Sequence, residues 1–324
     1  MTGCDQRSMG RAIELAAAVR TTTSPNPWVG SVIEPGGWEG ATSPPGGPHA
    51  EVVALGAAGG AARGATLYAT LEPCCHAGRT APCVDRIVEA GVTRVVVAVE
   101  DPDPRVRGGG IRALRAAGVT VDVGVGEDEV RAQLAPYLKQ RSTGRPWVVL
   151  KLAATLDGRT AAADGSSRWI TGPEARADAH RLRAESDAVI VGAGTVAADD
   201  PALTVRHRRG RDPLRVVLGR APADARVHPA LELSGDLGGV LDDLGRRGVL
   251  QALVEGGPSV AGAIHRAGLV DRYVLYLAPA LLGGDDGRPV LAGAGAATIG
   301  DLWRGRIVSV DRLGDDLRVE CSPA

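Results

Sequence analysis

Four residues carry the chemistry that stands out in this sequence: His49, Glu51, Cys74 and Cys83. They fall in two stretches, "PHAEVVAL" (48–55) and "TLEPCCHAGRTAPC" (70–83), and the second holds three of the chain's five cysteines. Thiols clustered this way can form a bridge, work as a redox dithiol, bind a metal or pack in a core. The first residues show no basic run followed by an unbroken apolar stretch, because Glu14 interrupts it. No secretory signal is therefore expected, and the protein is predicted to be cytoplasmic. Thiols stay reduced there, which favours metal binding or catalysis over disulfides. One imidazole and two thiolates suit tetrahedral Zn2+ and leave a fourth position open for water. Each residue alone reads more simply as a cap or a small core residue; the constellation points to metal.

Pro48 and Pro82 sit where helices tend to start, so His49 and Cys83 are expected near helix N-termini. Positive helix ends and a metal both favour thiolate. Glu51, two residues past His49, cannot share its direction on a helix. It is better placed to take a proton from an activated water, and pass it to a leaving amine, than to ligate the ion. The order His-x-Glu … Pro-Cys … Cys is that of zinc deaminases, with a wider gap here between the cysteines. Cys75 is expected to line the pocket or pack, and Cys4 and Cys321 to have no catalytic part.

The rest of the chain must position these residues. At 324 residues there is length for two domains, each with its own core. Apolar content of 44%, charged content of 23% and a net charge of −1 are those of an ordinary globular protein with no pull toward nucleic acid. No apolar run approaches membrane-spanning length. Helical spacing over 9–19 follows Ser8, a possible N-cap. A strand at 28–33, a Gly/Pro-rich connection, a helix from near Pro48, a strand at 65–71, a helix from near Pro82 and a strand at 93–99 follow. One more helix and strand complete an α/β layer. The polar stretch 139–146 marks a boundary, giving domains 1–144 and 145–324. Strands at 147–156, 187–192 and 214–219 then alternate with a helix capped near Thr171, and a closing hairpin ends the pattern.

The second half has no G-x-G-x-x-G. "LVEGGPSVAGAIHRAG" places Glu255 and a Gly256–Gly257 turn between a strand and a helix, whose N-terminal amides could hold phosphate. Asp199 and Asp200 are expected in a loop after an apolar strand. Lys151 lies inside a strand and reads equally as a snorkelling lysine or a functional one.

"NPWVG", "HAEVVAL", "TLEPCCHAGRTAPC" and "EDPDP" resemble the deaminase domain of the bifunctional riboflavin-biosynthesis deaminase/reductase family. The long "PCxHxGRTxPC" form sets that family apart from cytidine and tRNA deaminases. "TLDGRTAA", "SSRWITGPEAR", "VGAGTVAADDPALTVR" and the Gly-Gly segment are similar to its reductase domain. The resemblance implies a cytidine-deaminase-like α/β/α layer domain followed by a dihydrofolate-reductase-like α/β domain. It implies hydrolytic deamination of 2,5-diamino-6-ribosylamino-4(3H)-pyrimidinone 5′-phosphate, then NADPH-dependent reduction of the ribosyl chain to ribityl. His49, Cys74 and Cys83 would be zinc ligands, Glu51 the proton carrier, and Asn26, His76 and Arg79 substrate contacts.

In the second domain the resemblance places Ala153, Trp169, Thr195, Asp199, Gly257, Pro258, Ser259, Val260, Ala261, Gly262 and Ala263 along NADPH. It places Ser167, Arg183, Leu203, Arg206 and Glu255 along substrate, the two arginines reading the phosphate. Lys151 would sit near the reacting carbon and Asp199 would deliver the proton. A homodimer or higher homo-oligomer is implied as well. Three departures stand out: Thr42 where many members carry His, Asp103 where Asn is more usual, and no obvious apolar strand between "RVVLG" and "LVEGG". The last suggests a shortened sheet edge and an alternative, a zinc deaminase on a related aminopyrimidine with a degenerate C-terminal binding or dimerisation domain. A purely structural zinc protein is a further reading, and it predicts that Glu51→Gln changes nothing.

Overall fold

The computed structural model describes residues 3–76, 81–206 and 210–324. It divides into two compact units, Met1–Gly144 and Arg145–Ala324.

In the first unit the elements are α1 (Gly3–Thr23), β1 (Gly30–Glu34), β2 (Trp38–Ala41), α2 (Ala50–Ala58), β3 (Thr66–Leu71), α3 (Cys83–Glu89), β4 (Arg94–Val99), α4 (Gly109–Ala116), β5 (Thr120–Val123) and α5 (Glu127–Thr143). The five strands run in the order β2-β1-β3-β4-β5. β1 is antiparallel to both neighbours, while β3, β4 and β5 are parallel. Residues Val95–Val99 of β4 are all buried, the reading expected of a strand covered on both faces. Residues of α2, α3 and α4 pack with Leu67, Ala69, Val95 and Val97 in one core. Two glycines let helices lie directly on the sheet. A Cβ on Gly30 would stand 1.9 Å from the Ala12 carbonyl of α1, and one on Gly40 would stand 2.1 Å from the Ala50 carbonyl of α2. Gly40 pairs with Ser31, the neighbour of Gly30, so α1 and α2 cover opposite faces. An α/β/α layer results.

Two expectations need correction here. α1 starts at Gly3, so Ser8 is no N-cap; it is buried inside the helix and donates to Glu34 at 3.2 Å. The Gly/Pro-rich connection after β1 contains β2, whose Trp-Glu-Gly-Ala lacks the apolar alternation of a strand because Gly40 faces a helix backbone.

The second unit contains β6 (Trp147–Thr155), β7 (Arg159–Ala161), α6 (Pro173–Ala184), β8 (Ala188–Gly192), α7 (Ala193–Asp199), β9 (Leu214–Leu218), β10 (Leu231–Leu233), α8 (Leu237–Arg246), β11 (Gln251–Val254), α9 (Pro258–Arg266), β12 (Arg272–Ala278), β13 (Arg288–Pro289), β14 (Gly305–Leu313) and β15 (Asp316–Pro323). The main sheet runs β10-β9-β8-β11-β6-β12-β15-β14, with the first six parallel and the closing hairpin antiparallel. Val148, Leu150 and Leu152 of β6 face a core shared with α8 and α9. Val149 and Ala153 face the other core, shared with α6 and α7. Lys151 lies between these two in sequence and so belongs to that second face.

The segment expected to lack a strand supplies β10 and α8. β10 pairs in parallel with β9, and Asp236 caps α8 by accepting from the Gly239 N–H at 2.9 Å. Three residues, Leu-Glu-Leu, are too short to display an alternation, and an edge strand is only half buried. Asp199 is also not in a loop. It ends α7, and Asp200 caps that helix at φ 41°, a left-handed conformation that Asp tolerates better than most side chains. Among the described residues no helix is long and apolar enough to cross a membrane.

Candidate active sites

In the first unit His49 is the N-cap of α2 and Cys83 opens α3 behind Pro82. Cys74 lies on the turn after β3. These three elements bring the His49 Nδ1 to 3.2 Å from the Cys83 sulfur and 3.6 Å from the Cys74 sulfur. All three donor atoms lie within 4.8 Å of one another. A tetrahedral zinc with bond lengths of about 2.0 Å to nitrogen and 2.3 Å to sulfur sets nitrogen–sulfur separations of about 3.5 Å, so the donors fit the ion in type and spacing. The Cys83 N–H also donates to the Cys74 sulfur at 3.4 Å. That bond, from a helix N-terminus, favours thiolate.

The two thiols titrate as a pair. The Cys74 thiol is pushed down, chiefly by a side-chain hydrogen bond from the Cys83 thiol and then by His49 against the opposing effect of burial, while the Cys83 thiol is pushed up, chiefly by donating that side-chain bond and then by burial. His49 is raised by its hydrogen bond to Cys74. Glu51, in the first turn of α2, is 3% exposed, and burial raises its carboxyl above the usual range. Beside the three donors there is thus a buried acid whose affinity for a proton is raised. Cys75 packs on the core and does not join the cluster.

Of the other residues named from the sequence, His76 is half-buried and its buried Nδ1 has no partner among the described residues. Asn26 is half-buried, its backbone N–H donating to the Thr23 carbonyl at 2.9 Å. Arg79 lies outside the described residues. Thr42 is buried and spends its hydroxyl on the Val29 backbone. Asp103 is held by both arms of Arg105, at 3.0 and 2.6 Å, which lowers it to about 2.

In the second unit the carboxyl ends of the adjacent strands β8 and β11 feed α7 and α9, the place where open α/β sheets take ligands. The Thr195 hydroxyl accepts from the Gly257 N–H at 3.0 Å, which ties the two helix starts together. Glu255, just past β11, takes both arms of Arg183 at 2.6 and 2.9 Å, and Arg183 also donates to the Thr204 carbonyl at 3.2 Å. The pair is largely enclosed, its side chains 14% and 8% exposed; burial opposes ionisation of Glu255, yet Arg183 and then Lys151 hold it below the usual carboxylate range. Lys151 itself is pushed down by burial, and its Nζ lies 5.8 Å from the ring centre of Tyr276.

Other residues singled out by the sequence are less tightly gathered. Trp169 is 70% exposed, with the Arg176 guanidinium 4.6 Å from its ring centre. Arg168 donates to the Asp199 carbonyl at 2.8 Å and lies 3.7 Å from its carboxylate. Leu203 is buried at φ 52°, Ser167 is half-buried, and the Arg206 N–H donates to His180 at 3.2 Å.

Comparison with known proteins covers both units. The family "Cytidine and deoxycytidylate deaminase zinc-binding region" matches residues 2–99, and "RibD C-terminal domain" matches residues 146–319. The riboflavin biosynthesis protein RibD of Mycobacterium tuberculosis is 45% identical, over 96% of this chain and 95% of its own length. A solved structure of Acinetobacter baumannii RibD aligns with a TM-score of 0.94 at 39% identity, covering 99% of both chains. The diaminohydroxyphosphoribosylaminopyrimidine deaminase/5-amino-6-(5-phosphoribosylamino)uracil reductase of Thermotoga maritima aligns with a TM-score of 0.91 at 34% identity, again over 99% of both.

The chain belongs to the RibD family of riboflavin-biosynthesis deaminase–reductases.

Both RibD domains are present, and the match to the C-terminal domain runs through the segment that holds β10 and α8. Two buried groups close to these residues gave no local signal in the sequence. Tyr276, under Lys151, is fixed by donating its hydroxyl to Asp178 at 2.7 Å, a contact set by how α6 packs on β12. Glu72, two residues before Cys74, accepts three backbone N–H groups from positions 29 or more residues away.

Proposed function

We propose that the two domains carry out successive steps on one phosphorylated aminopyrimidine. The first is hydrolytic loss of the ring 2-amino group from 2,5-diamino-6-ribosylamino-4(3H)-pyrimidinone 5′-phosphate. The second is NADPH-dependent reduction of the ribosyl chain to ribityl. The observation that carries the reading is the convergence of His49, Cys74 and Cys83 beside the buried Glu51, in a chain whose relatives span its length.

His49, Cys74 and Cys83 would hold zinc, which when bound would supply a Lewis acid that activates water. Glu51 takes a proton from the attacking water and gives it to the departing amine, so that ammonia leaves as the ring carbonyl forms. Its raised affinity for a proton suits both halves of that cycle. Asn26, His76 and Arg79 orient the substrate, and the His76 Nδ1, which has no partner among the described residues, is available for a hydrogen bond to it.

In the second domain the residues below would hold NADPH, which when bound would supply the hydride for reduction at the sugar C1′. Gly257 and the first turns of α9, Pro258, Ser259, Val260, Ala261, Gly262 and Ala263, would receive its phosphates, with Thr195 holding the Gly257 N–H and Ala153 and Trp169 completing the cofactor site. Lys151 sits by the reacting carbon, Asp199 delivers the proton to nitrogen, and Ser167, Leu203 and Arg206 line the substrate. Arg183 and Glu255 line the substrate as well, Arg183 paired with Glu255 and reading the phosphate together with Arg206. Exposed Ile307, Val308 and Val310 on the closing hairpin support self-association, which sedimentation would measure.

The test is incubation with the diaminopyrimidinone phosphate, with and without NADPH. Ammonia release in both, and ribityl product only with NADPH, is expected. Ammonia without any NADPH oxidation would leave a deaminase alone.

A further inference from the structure

We propose that Glu72 is a positioning residue for the deaminase centre: its carboxylate locks the Pro73–Cys74 turn to the loop after β4 and to the start of α4, and so fixes the Cys74 sulfur. The inference rests on the reading of His49, Cys74 and Cys83 as zinc ligands.

Cys74 belongs to no helix or strand, so something other than secondary structure must place it. On one side α3 holds it. The Val84 N–H donates to the Cys74 carbonyl at 3.2 Å and the Cys83 N–H to its sulfur at 3.4 Å. Those donors sit on the segment that carries the other sulfur. By themselves they would let both sulfurs shift together relative to His49.

Glu72 supplies the opposing side. Its own N–H donates to the Val99 carbonyl at 3.0 Å, continuing the β3–β4 pairing by one residue. Its carboxylate is buried. Oε2 accepts from the Asp101 and Gly108 N–H groups at 3.1 and 2.9 Å, and Oε1 from the Ile111 N–H at 3.1 Å. Gly108 is the N-cap of α4 and has no side chain to cap with, so Glu72 satisfies the helix start from another part of the fold. Gly110 completes the clamp. A Cβ there would stand 2.0 Å from the Pro73 carbonyl oxygen, so the α4 backbone rests directly on the turn. The peptide joining Glu72 to Cys74 is thereby caught between a carboxylate that grips α4 and the glycine that α4 lays on it. None of these partners is itself a donor to the metal cluster, so the effect reaches Cys74 through the backbone.

A plain capping role would make Glu72 matter for stability alone, and zinc affinity tells the two apart. Three variants of the full chain serve. Glu72→Gln keeps the size but turns an NH2 toward an N–H. Gly110→Ala pushes on Pro73 from the other side. Leu114→Val loosens the buried face of α4 without touching the turn. Each is loaded with zinc and titrated with a chromogenic chelator, with Cys83→Ser as the reference for lost binding.

Expected is a zinc Kd weakened about ten-fold or more in Glu72→Gln and Gly110→Ala, the scale on which outer-shell partners act, with Leu114→Val staying within about two-fold. With excess zinc, the first two should still show a lowered kcat for deamination at little-changed KM, and NADPH oxidation on deaminated substrate equal to the parent's. Zinc binding in Glu72→Gln and Gly110→Ala equal to the parent's would overturn the proposal, as would an equal loss in Leu114→Val. A parent that binds no zinc, or a Cys83→Ser variant that binds it normally, would instead remove the ligand reading, and this inference with it.

Discussion

The two sites of this chain are built from different materials. The deaminase centre gathers scarce, chemically distinctive side chains, one imidazole, two thiols and a buried acid, from the ends of three elements. The reductase site proposed above is made largely of backbone: a glycine turn, two helix starts joined by the Thr195–Gly257 bond, and charges that balance one another. A site of the first kind is sensitive to single atoms. One of the second kind is sensitive to the sheet that carries it.

That contrast can be broken or sharpened by experiment. The largest effect expected is in Cys83→Ser, which should lose zinc and deamination entirely while NADPH oxidation on the deaminated substrate continues; loss of both steps would contradict separate sites. Glu51→Gln should keep its zinc yet slow deamination by about 10²- to 10⁴-fold, the usual scale for a proton carrier, as steady-state ammonia release would show. Unchanged deamination would favour the purely structural zinc reading. In the second unit, Arg183→Ala strands the Glu255 carboxylate in the interior. Chemical denaturation should show that unit destabilised by about 3 kcal/mol or more, since the partner's charge is left uncompensated. Deamination should survive it.

The smallest effects lie in pH dependence, and the two units should differ in sign. Asp101 in the first unit is pushed up by burial to about 6, so the folded state holds a proton that the unfolded state releases. Its contribution is therefore greatest below pH 4 and is lost as the pH rises through 6. Asp178 in the second unit is opposed by burial but held down to about 2 by Arg181, Tyr276 and Arg318, so its contribution is present above pH 4 and lost as the pH falls toward 2. Asp101 is worth about 3 kcal/mol and Asp178 about 2 kcal/mol. Melting curves of Asp101→Asn and Asp178→Asn across pH 3–7 should diverge from the parent in opposite pH windows.

The same contrast explains what was legible beforehand. His49, Glu51, Cys74 and Cys83 announce themselves because such residues are seldom grouped without a reason, and Pro48 and Pro82 mark the helix starts that hold two of them. The buried apolar runs of β4, β6, β8 and β11 were equally plain. β10 and α8 were not, because a three-residue edge strand shows no period and its helix is capped by a single Asp236. β2 was hidden by Gly40, whose missing side chain is what lets α2 approach. The grip of Glu72 on α4, the Arg183–Glu255 pair and the seat of Lys151 over Tyr276 join residues far apart in the chain. Such pairings follow from tertiary packing and leave no local trace.

Metal analysis of the purified full-length chain tests the central claim most directly. About one zinc per chain, bound at a single His-Cys-Cys centre and absent from Cys83→Ser, is the predicted result. Carefully prepared protein with no stoichiometric zinc, or a Cys83→Ser variant that keeps it, would contradict the account.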